Sequence, residues 1–241
     1  MASLPPLADE APRIIPGAHP AATVTLLRDG PGRIEVLLVR RHASLAFHGG
    51  AWVFPGGRID ADDYRVAASD DPAQAARYAA MREAQEEAAV EVAPEALVLI
   101  SRWVTPEGLP KRFDAWFFAA AAGEGEITVD GGEIDDYRWM QPAEALAAQG
   151  RDEIDLPPPT YMTLLTLARH DRVEPALAWL RQRPPRFFLP RMCAVEGGAC
   201  TLYQGDAGYE ERDADKPGPR HRLWLSKTGW RYECSPDLGL D

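Results

Sequence analysis

The chain has 241 residues, 46% of them hydrophobic, and a formal net charge of -11 at pH 7, which suits one substantial core with a smaller appended subdomain. The acidic balance argues against general nucleic-acid binding, which needs clustered Lys and Arg, so a phosphate ligand would have to be met by a metal and local arginines. No run reaches the roughly 20 apolar residues that cross a bilayer, and the three cysteines, Cys193, Cys200 and Cys234, follow no secretory leader, so a reduced cytoplasmic protein without a membrane partner is expected.

Met1 to Pro20 carries five prolines and little periodicity, so residues 1–17 read as an extended lead-in. Thr23–Leu27 and Ile34–Val39 are β-forming runs around Asp29-Gly30-Pro31-Gly32, a hairpin signal. Ala51–Phe54 is a short strand that Pro55 ends. Asp71-Pro72-Ala73-Gln74 opens a helix, with Asp71 as N-cap and Pro72 at the first helical position, expected to run to about Val90. Strands follow at Leu97–Val104, Arg112–Ala120 and Ile134–Met140, and a short helix starts at Pro142. Tyr161, Leu164, Leu165 and Ala168 form an apolar helical stripe behind a proline start, and Val173, Leu177 and Leu180 a second one. Beyond them Phe187–Leu189, Thr201–Tyr203, Leu223–Leu225 and Trp230–Tyr232 read as strands of a small β appendage.

The chemistry concentrates in the long central helix. Glu83, Glu86 and Glu87 stand at i, i+3 and i+4, on one helix face, where like charges oppose the helix by roughly 0.2–0.5 kcal/mol per pair. A divalent cation reverses that penalty, and hard ions take carboxylate oxygens together with waters and substrate phosphates. Together with Phe54-Pro55-Gly56-Gly57 upstream and Arg82-Glu83-Ala84-Gln85-Glu86-Glu87, the segment resembles the box of the Nudix hydrolase superfamily: Gly, five residues, Glu, seven residues, then Arg-Glu-aliphatic-x-Glu-Glu-x-Gly-aliphatic.

That resemblance implies an α/β/α sandwich with a mixed sheet over residues 18–170, followed by a helical and β-rich extension over 171–241. It implies Mg²⁺ or Mn²⁺ held by Glu83, Glu86 and Glu87, with the Gly57 carbonyl and Glu133 as further candidate ligands. Glu87 and Glu86 are then the groups nearest the reacting water, and Arg82 orients them. Arg40, Arg41, Lys111 and Arg112 are candidate phosphate clamps, since guanidinium groups bind phosphate oxygens in pairs.

Three positions depart from the pattern. Gly57 and Arg82 are eleven residues further apart than in the family, an insert placed within Asp60–Ser69 as a loop. Counting back from Arg82 puts Gln74 where the family has Glu, leaving the set one carboxylate short. Ala89 replaces the glycine that ends the helix, and because alanine resists the left-handed conformation the helix is expected to continue a little further.

Thr105–Asp114, Gly132-Glu133-Ile134 and Leu156–Thr160 resemble a long-insert subgroup that includes coenzyme A diphosphatases of mitochondria and peroxisomes and bacterial relatives. Of the coenzyme A signature, Leu37, Leu38, Arg41, Gly50 and Phe54–Gly57 match, while Val39, His42 and Ala46 depart from it. The expected partner is therefore a small diphosphate substrate, with coenzyme A or acyl-coenzyme A first and ADP-ribose, NADH or nucleotide sugars next. A homodimer stays open, as does a ligand-binding sensor that has lost turnover. His48 reads as a structural histidine before a base. Trp52, Trp103 and Trp116 read as core or pocket wall, with one of them free to stack on an adenine. The arginines between Arg181 and Arg186 read as a solvated linker.

Overall fold

The computed structural model describes residues 15–45, 47–123, 125–129, 131–226 and 229–238; Ala46 and most of the expected lead-in, residues 1–14, lie outside the described residues. The hairpin forms as expected. Strands β1 (His19–Asp29) and β2 (Ile34–Arg41) pair antiparallel with Leu27 opposite Val36, and the Gly30 N–H closes the turn on the Arg33 carbonyl at 2.9 Å. β3 (Trp52–Val53) adds to β2, and β4 (Gly56–Arg58) adds to β1. β5 (Val98–Val104), β6 (Phe113–Ala121) and β7 (Ile134–Met140) complete the expected strands.

With β8 (Arg186–Phe188) the main sheet has eight strands in the path β3-β2-β1-β6-β5-β8, with β4 against β1 and β7 against β2. β1 runs parallel to β6 and β5 to β8, while the other pairs are antiparallel, so the sheet is mixed. Alternation along the strands serves two cores. Val24, Leu26, Trp116 and Phe118 face the alanines of α2 (Pro72–Ala88). Leu27, Phe117 and Trp103 face the apolar residues of α3 (Pro142–Gly150), α4 (Pro158–Leu167) and α5 (Val173–Arg181). The result is the helix–sheet–helix sandwich expected from the sequence.

Ala75, Ala76, Ala79, Ala80, Ala84 and Ala88 are all buried, so α2 lies against the sheet mainly through methyl groups. That close approach brings Glu83 and Glu87, on the same helix, down to the end of β4. The Asp71 carboxylate accepts the Ala73 N–H at 3.1 Å and starts the helix as expected.

The insert is not a loop. It contributes α1 (Ala61–Ala67), whose first turn is closed by the Asp60 N–H donating to Asp63 Oδ2 at 2.8 Å. α2 does not overrun its pattern either: it stops at Ala88, and Ala89 takes φ 56° and ψ 32°. The Ala89 N–H reaches the Gln85 carbonyl and the Val90 N–H the Ala84 carbonyl, and Val90 and Val92 bury against the helix. Those contacts offset the left-handed strain of about 1–2 kcal/mol.

The C-terminal segment divides. β8 (Arg186–Phe188) runs parallel to β5 as an edge of the main sheet, while β9 (Arg191–Val195), β10 (Gly198–Leu202), β11 (His221–Ser226) and β12 (Gly229–Cys234) form a separate antiparallel sheet. The Phe187–Leu189 run, expected in the appendage, therefore extends the larger sheet. Phe188 stacks on Trp103 with centroids 3.8 Å apart. Among the described residues no helix is long and apolar enough to cross a membrane.

Candidate active site

Two glycines bring β4 against α2. A Cβ on Gly56 would stand 2.5 Å from the Ala22 carbonyl oxygen, and one on Gly57 would stand 2.3 Å from Glu83 Oε1. A side chain at Gly56 would strike the β1 backbone, and one at Gly57 would displace the Glu83 carboxylate. The Gly56 N–H then donates to Glu87 Oε2 at 2.8 Å.

Glu87 is 5% exposed. Burial pushes its carboxyl up to about 8, helped by the charges of Glu83 and Glu133 and opposed by the Gly56 N–H and Arg41. Burial also raises Glu83, against the pull of Arg82. Glu86 is half-exposed and shares with Glu83 the same donor, Arg82 Nη1, at 2.9 and 2.8 Å.

Arg82 is the hub. Its Nη2 donates to the Arg58 carbonyl at 2.9 Å and to Asp63 Oδ2 at 3.1 Å, and its Nε lies 3.3 Å from Asp63 Oδ1. Burial works against its charge, but Asp63 and Glu83 outweigh it and the guanidinium pKa rises. Asp63 is itself buried and was missed as a site residue. The signal was there: five residues separate Gly57 from Asp63, the spacing at which the family places its first glutamate. Gln74 is the wrong counterpart, because it sits in the first turn of α2, eight residues and about 12 Å along the axis from Arg82. The carboxylate set is complete, and the extra residues follow Asp63, as the rest of α1, its connector and the first turns of α2.

Arg41 and Glu133 join this group. Arg41 Nη2 is 3.7 Å from Glu133 Oε2, its Nε donates to the Phe47 carbonyl at 3.2 Å, and its charge reaches Glu87. The other clamp candidates are held elsewhere. Arg40, next along β2 and so on the opposite face of the strand, donates to Asp135 at 2.6 Å. Arg112 donates to the Thr105 carbonyl at 3.1 Å and the Pro16 carbonyl at 3.4 Å. The Lys111 ammonium lies 5.2 Å from the centroid of the Phe113 ring.

His48 takes φ 54° in the turn that leads to β3, and burial of its ring, aided by Arg41 and opposed by Asp155, lowers its pKa. It is a turn residue. None of Trp52, Trp103 and Trp116 offers a stacking face: they are 3%, 4% and 2% exposed.

Among the described residues no three His, Cys, Asp or Glu side chains converge closely enough to hold a metal ion. The reason is visible in the hydrogen bonds, since Arg82 Nη1 engages both Glu83 and Glu86 while Glu87 turns to the Gly56 N–H. The donor chemistry nevertheless fits a hard divalent cation: three carboxylates on one helix face, one buried with a single backbone donor, against a glycine that leaves the Glu83 oxygens touching the strand.

Comparison with known proteins finds the following similarities. A Nudix hydrolase from Alicyclobacillus acidocaldarius is similar at 29% identity and TM-score 0.60, over 67% of this chain and 96% of that one. A MutT Nudix hydrolase from Burkholderia pseudomallei is similar at 20% identity and TM-score 0.47, over 61% and 96%. The Nudix domain of Shewanella oneidensis NrtR, complexed with ADP ribose, is similar at 18% identity and TM-score 0.46, over 67% and 92%. The family model described as NUDIX domain matches residues 17–158, more than half of the chain. With that match over the residues that build the carboxylate site, the chain belongs to the Nudix family and is a hydrolase of phosphorus anhydrides.

Proposed function

We propose that the protein hydrolyses the diphosphate linkage of a nucleoside-diphosphate-linked small molecule, with Glu83, Glu86 and Glu87 as ligands of Mg²⁺ or Mn²⁺ and with the Gly57 carbonyl and Glu133 beside them. The observation that carries this reading is Glu87, a buried carboxyl that among the described residues has one backbone donor and makes no ion pair. A bound divalent cation supplies neutralisation of phosphate oxygens and a lowered pKa for coordinated water.

The chain's own groups do the rest. Glu87, once ionised, takes the proton as a water oxygen bonds to one phosphorus and the bridging P–O bond breaks, leaving two phosphate monoesters. Arg82 keeps Glu83 and Glu86 in place through a single nitrogen, and Asp63 fixes Arg82 in turn. Arg41, whose guanidinium among the described residues carries a 3.7 Å approach to Glu133 and one bond to a carbonyl, is the clamp for a phosphate oxygen.

Coenzyme A and acyl-coenzyme A remain the first candidates. The matched positions Leu37, Leu38, Arg41, Gly50 and Phe54–Gly57 support them, and Arg41, Gly56 and Gly57 are the members of that set beside the carboxylates. ADP-ribose, NADH and nucleotide sugars are the alternatives.

Wild type and Glu87→Gln, each incubated with Mg²⁺ or Mn²⁺ and this panel, separate the possibilities by mass spectrometry of the products. Cleavage by wild type alone is expected, with the best substrate identified by rate and Glu87→Gln slower by about 10²–10⁴-fold. Equal cleavage by both proteins would contradict the role of Glu87, and no cleavage of any compound would contradict the substrate class.

A further inference from the structure

The segment that brings β4 to α2 has little of its own to hold it in place. β3 pairs with β2 and β4 with β1, so the chain changes partner at Phe54-Pro55. Pro55 has a fixed φ and no N–H to pair. Gly56 and Gly57 carry no Cβ, because one would strike the Ala22 carbonyl and the other the Glu83 carboxylate, and the same lack of side chains lets their peptide planes turn. A group outside the segment has to set those planes.

Thr23, half-buried on the neighbouring strand, is that group. It pairs with Gly56 in the strand register, and its Oγ1 donates to the Pro55 carbonyl at 2.6 Å, with the Phe54 carbonyl further off at 3.2 Å. The Val24 N–H donates to the same Pro55 oxygen at 2.9 Å, so both lone pairs of that carbonyl are used. The Pro55 C=O and the Gly56 N–H belong to one planar peptide unit and point in opposite directions. Holding the oxygen against β1 therefore aims the N–H at Glu87 Oε2, 2.8 Å away. Thr23 and Glu87 are bonded to the two ends of one peptide.

Thr25 supplies the contrast. It lies two residues along β1 on the same face, it is 0% exposed, and its hydroxyl finds no partner among the described residues. Valine would serve β1 equally well at either position as a β-branched residue, so packing does not account for the hydroxyl that reaches Pro55.

We propose that Thr23 is a positioning residue for the divalent-cation site, its hydroxyl fixing the Pro55–Gly56 peptide so that Glu87 and the Gly57 carbonyl are presented together. This rests on the reading that Glu83, Glu86, Glu87 and the Gly57 carbonyl hold the cation. Without the hydroxyl the peptide is free to rotate, and metal binding must order it at a cost in affinity.

Two measurements on the full chain test this without turnover. In metal-free protein, the Gly56 amide, followed by hydrogen exchange in NMR spectra, should exchange about tenfold faster in Thr23→Val than in wild type, the loss expected of one hydrogen bond. In calorimetric titrations with Mn²⁺ alone, Thr23→Val should bind about 10–100-fold more weakly than wild type, as for groups that orient metal ligands. Thr23→Ser, which keeps the hydroxyl, and Thr25→Val, which removes an unpartnered one, should both match wild type. Thr23→Ala takes the place of the valine variant if that one does not fold. Unchanged Gly56 exchange or unchanged Mn²⁺ affinity in Thr23→Val, or an equal loss in Thr25→Val, would overturn the role of Thr23 and leave the metal site standing. No Mn²⁺ binding by wild type would refute the metal reading itself, and the positioning role with it.

Discussion

Glu87 on α2 and Asp206 beside the small sheet are two carboxylates buried to the same degree, 5% and 6% exposed, and they have opposite electrostatics. Asp206 accepts both Nε and Nη2 of Arg222, at 2.7 and 2.6 Å, and the backbone N–H groups of His221 and Gly208, at 2.8 and 2.9 Å. Burial works against its ionised form, but these donors outweigh it and its pKa falls below the usual range. Glu87 has one backbone donor and lies among like charges, and its pKa rises to about 8. Burial alone therefore says little; the count of donors decides whether a buried carboxylate is finished structure or a site that waits for a cation. The comparison also assigns roles, with Asp206 fastening the 204–222 loop to the small sheet and Glu87 kept in reserve for chemistry.

The comparison breaks most sharply by removing one acid from each region. Glu87→Gln should abolish most turnover but fold at least as well as wild type in metal-free buffer near pH 8, because the amide keeps a hydrogen-bonding oxygen for the Gly56 N–H and carries no charge to bury. Asp206→Ala should do the reverse, leaving Arg222 buried and unpaired at a cost of about 3–5 kcal/mol, visible as a lowered urea midpoint. Comparable stability losses in both variants would remove the distinction.

Smaller, but specific, is the effect of Asp63. Asp63→Asn should weaken the hold on Arg82 and reduce kcat/KM by about 10–100-fold, as for groups that orient metal ligands. Adding Gln74→Glu should not restore it, since that side chain starts two helical turns away. Rescue by Gln74→Glu would show that the carboxylate set had been completed from the wrong position.

The two regions also predict opposite slopes of stability against pH. The folded pKa of Glu87 lies above its unfolded value, so folded protein holds the extra proton between about 4.5 and 8 and stability declines as pH rises through that window in metal-free buffer. Added Mg²⁺ or Mn²⁺ should flatten the decline. His221 sits in the small sheet with its Nδ1 2.7 Å from the Gln204 carbonyl, and burial lowers its pKa to about 4. Its contribution is present above about 6.5 and is lost as pH falls toward 4. Denaturant midpoints across pH 4–9, with Glu87→Gln lacking the upper slope and His221→Gln lacking the lower one, check both signs.

The strands around Gly30, the start of α2 at Asp71-Pro72 and the carboxylate face of Glu83, Glu86 and Glu87 were legible because each rests on local chemistry: a turn, a cap, a helical repeat. The insert's helix was not, because Ala61–Ala67 is short and is closed by Asp63, whose carboxylate is also claimed by Arg82 nineteen residues later. Counting forward from Gly57 finds that residue where counting back from Arg82 does not. The end at Ala89 escaped reading because the burial of Val90 and Val92, a tertiary contact, overrides alanine's local preference. Arg40 and Arg41 are neighbours of identical type, and only the partner strand, which brings Asp135 to one and Glu133 to the other, separates the bound guanidinium from the one at the site. Aromatic residues misled in the same way, since the burial of the three tryptophans depends on which sheet face each occupies.

The central claim is that Glu87 stays protonated near neutral pH until a divalent cation joins it. Calorimetric titration of wild type and Glu87→Gln with Mn²⁺ at pH 7, repeated in two buffers of different ionisation enthalpy, counts the protons released on binding. Wild type should release most of one proton per binding event more than Glu87→Gln does. Metal binding with equal proton release in the two proteins would contradict the account.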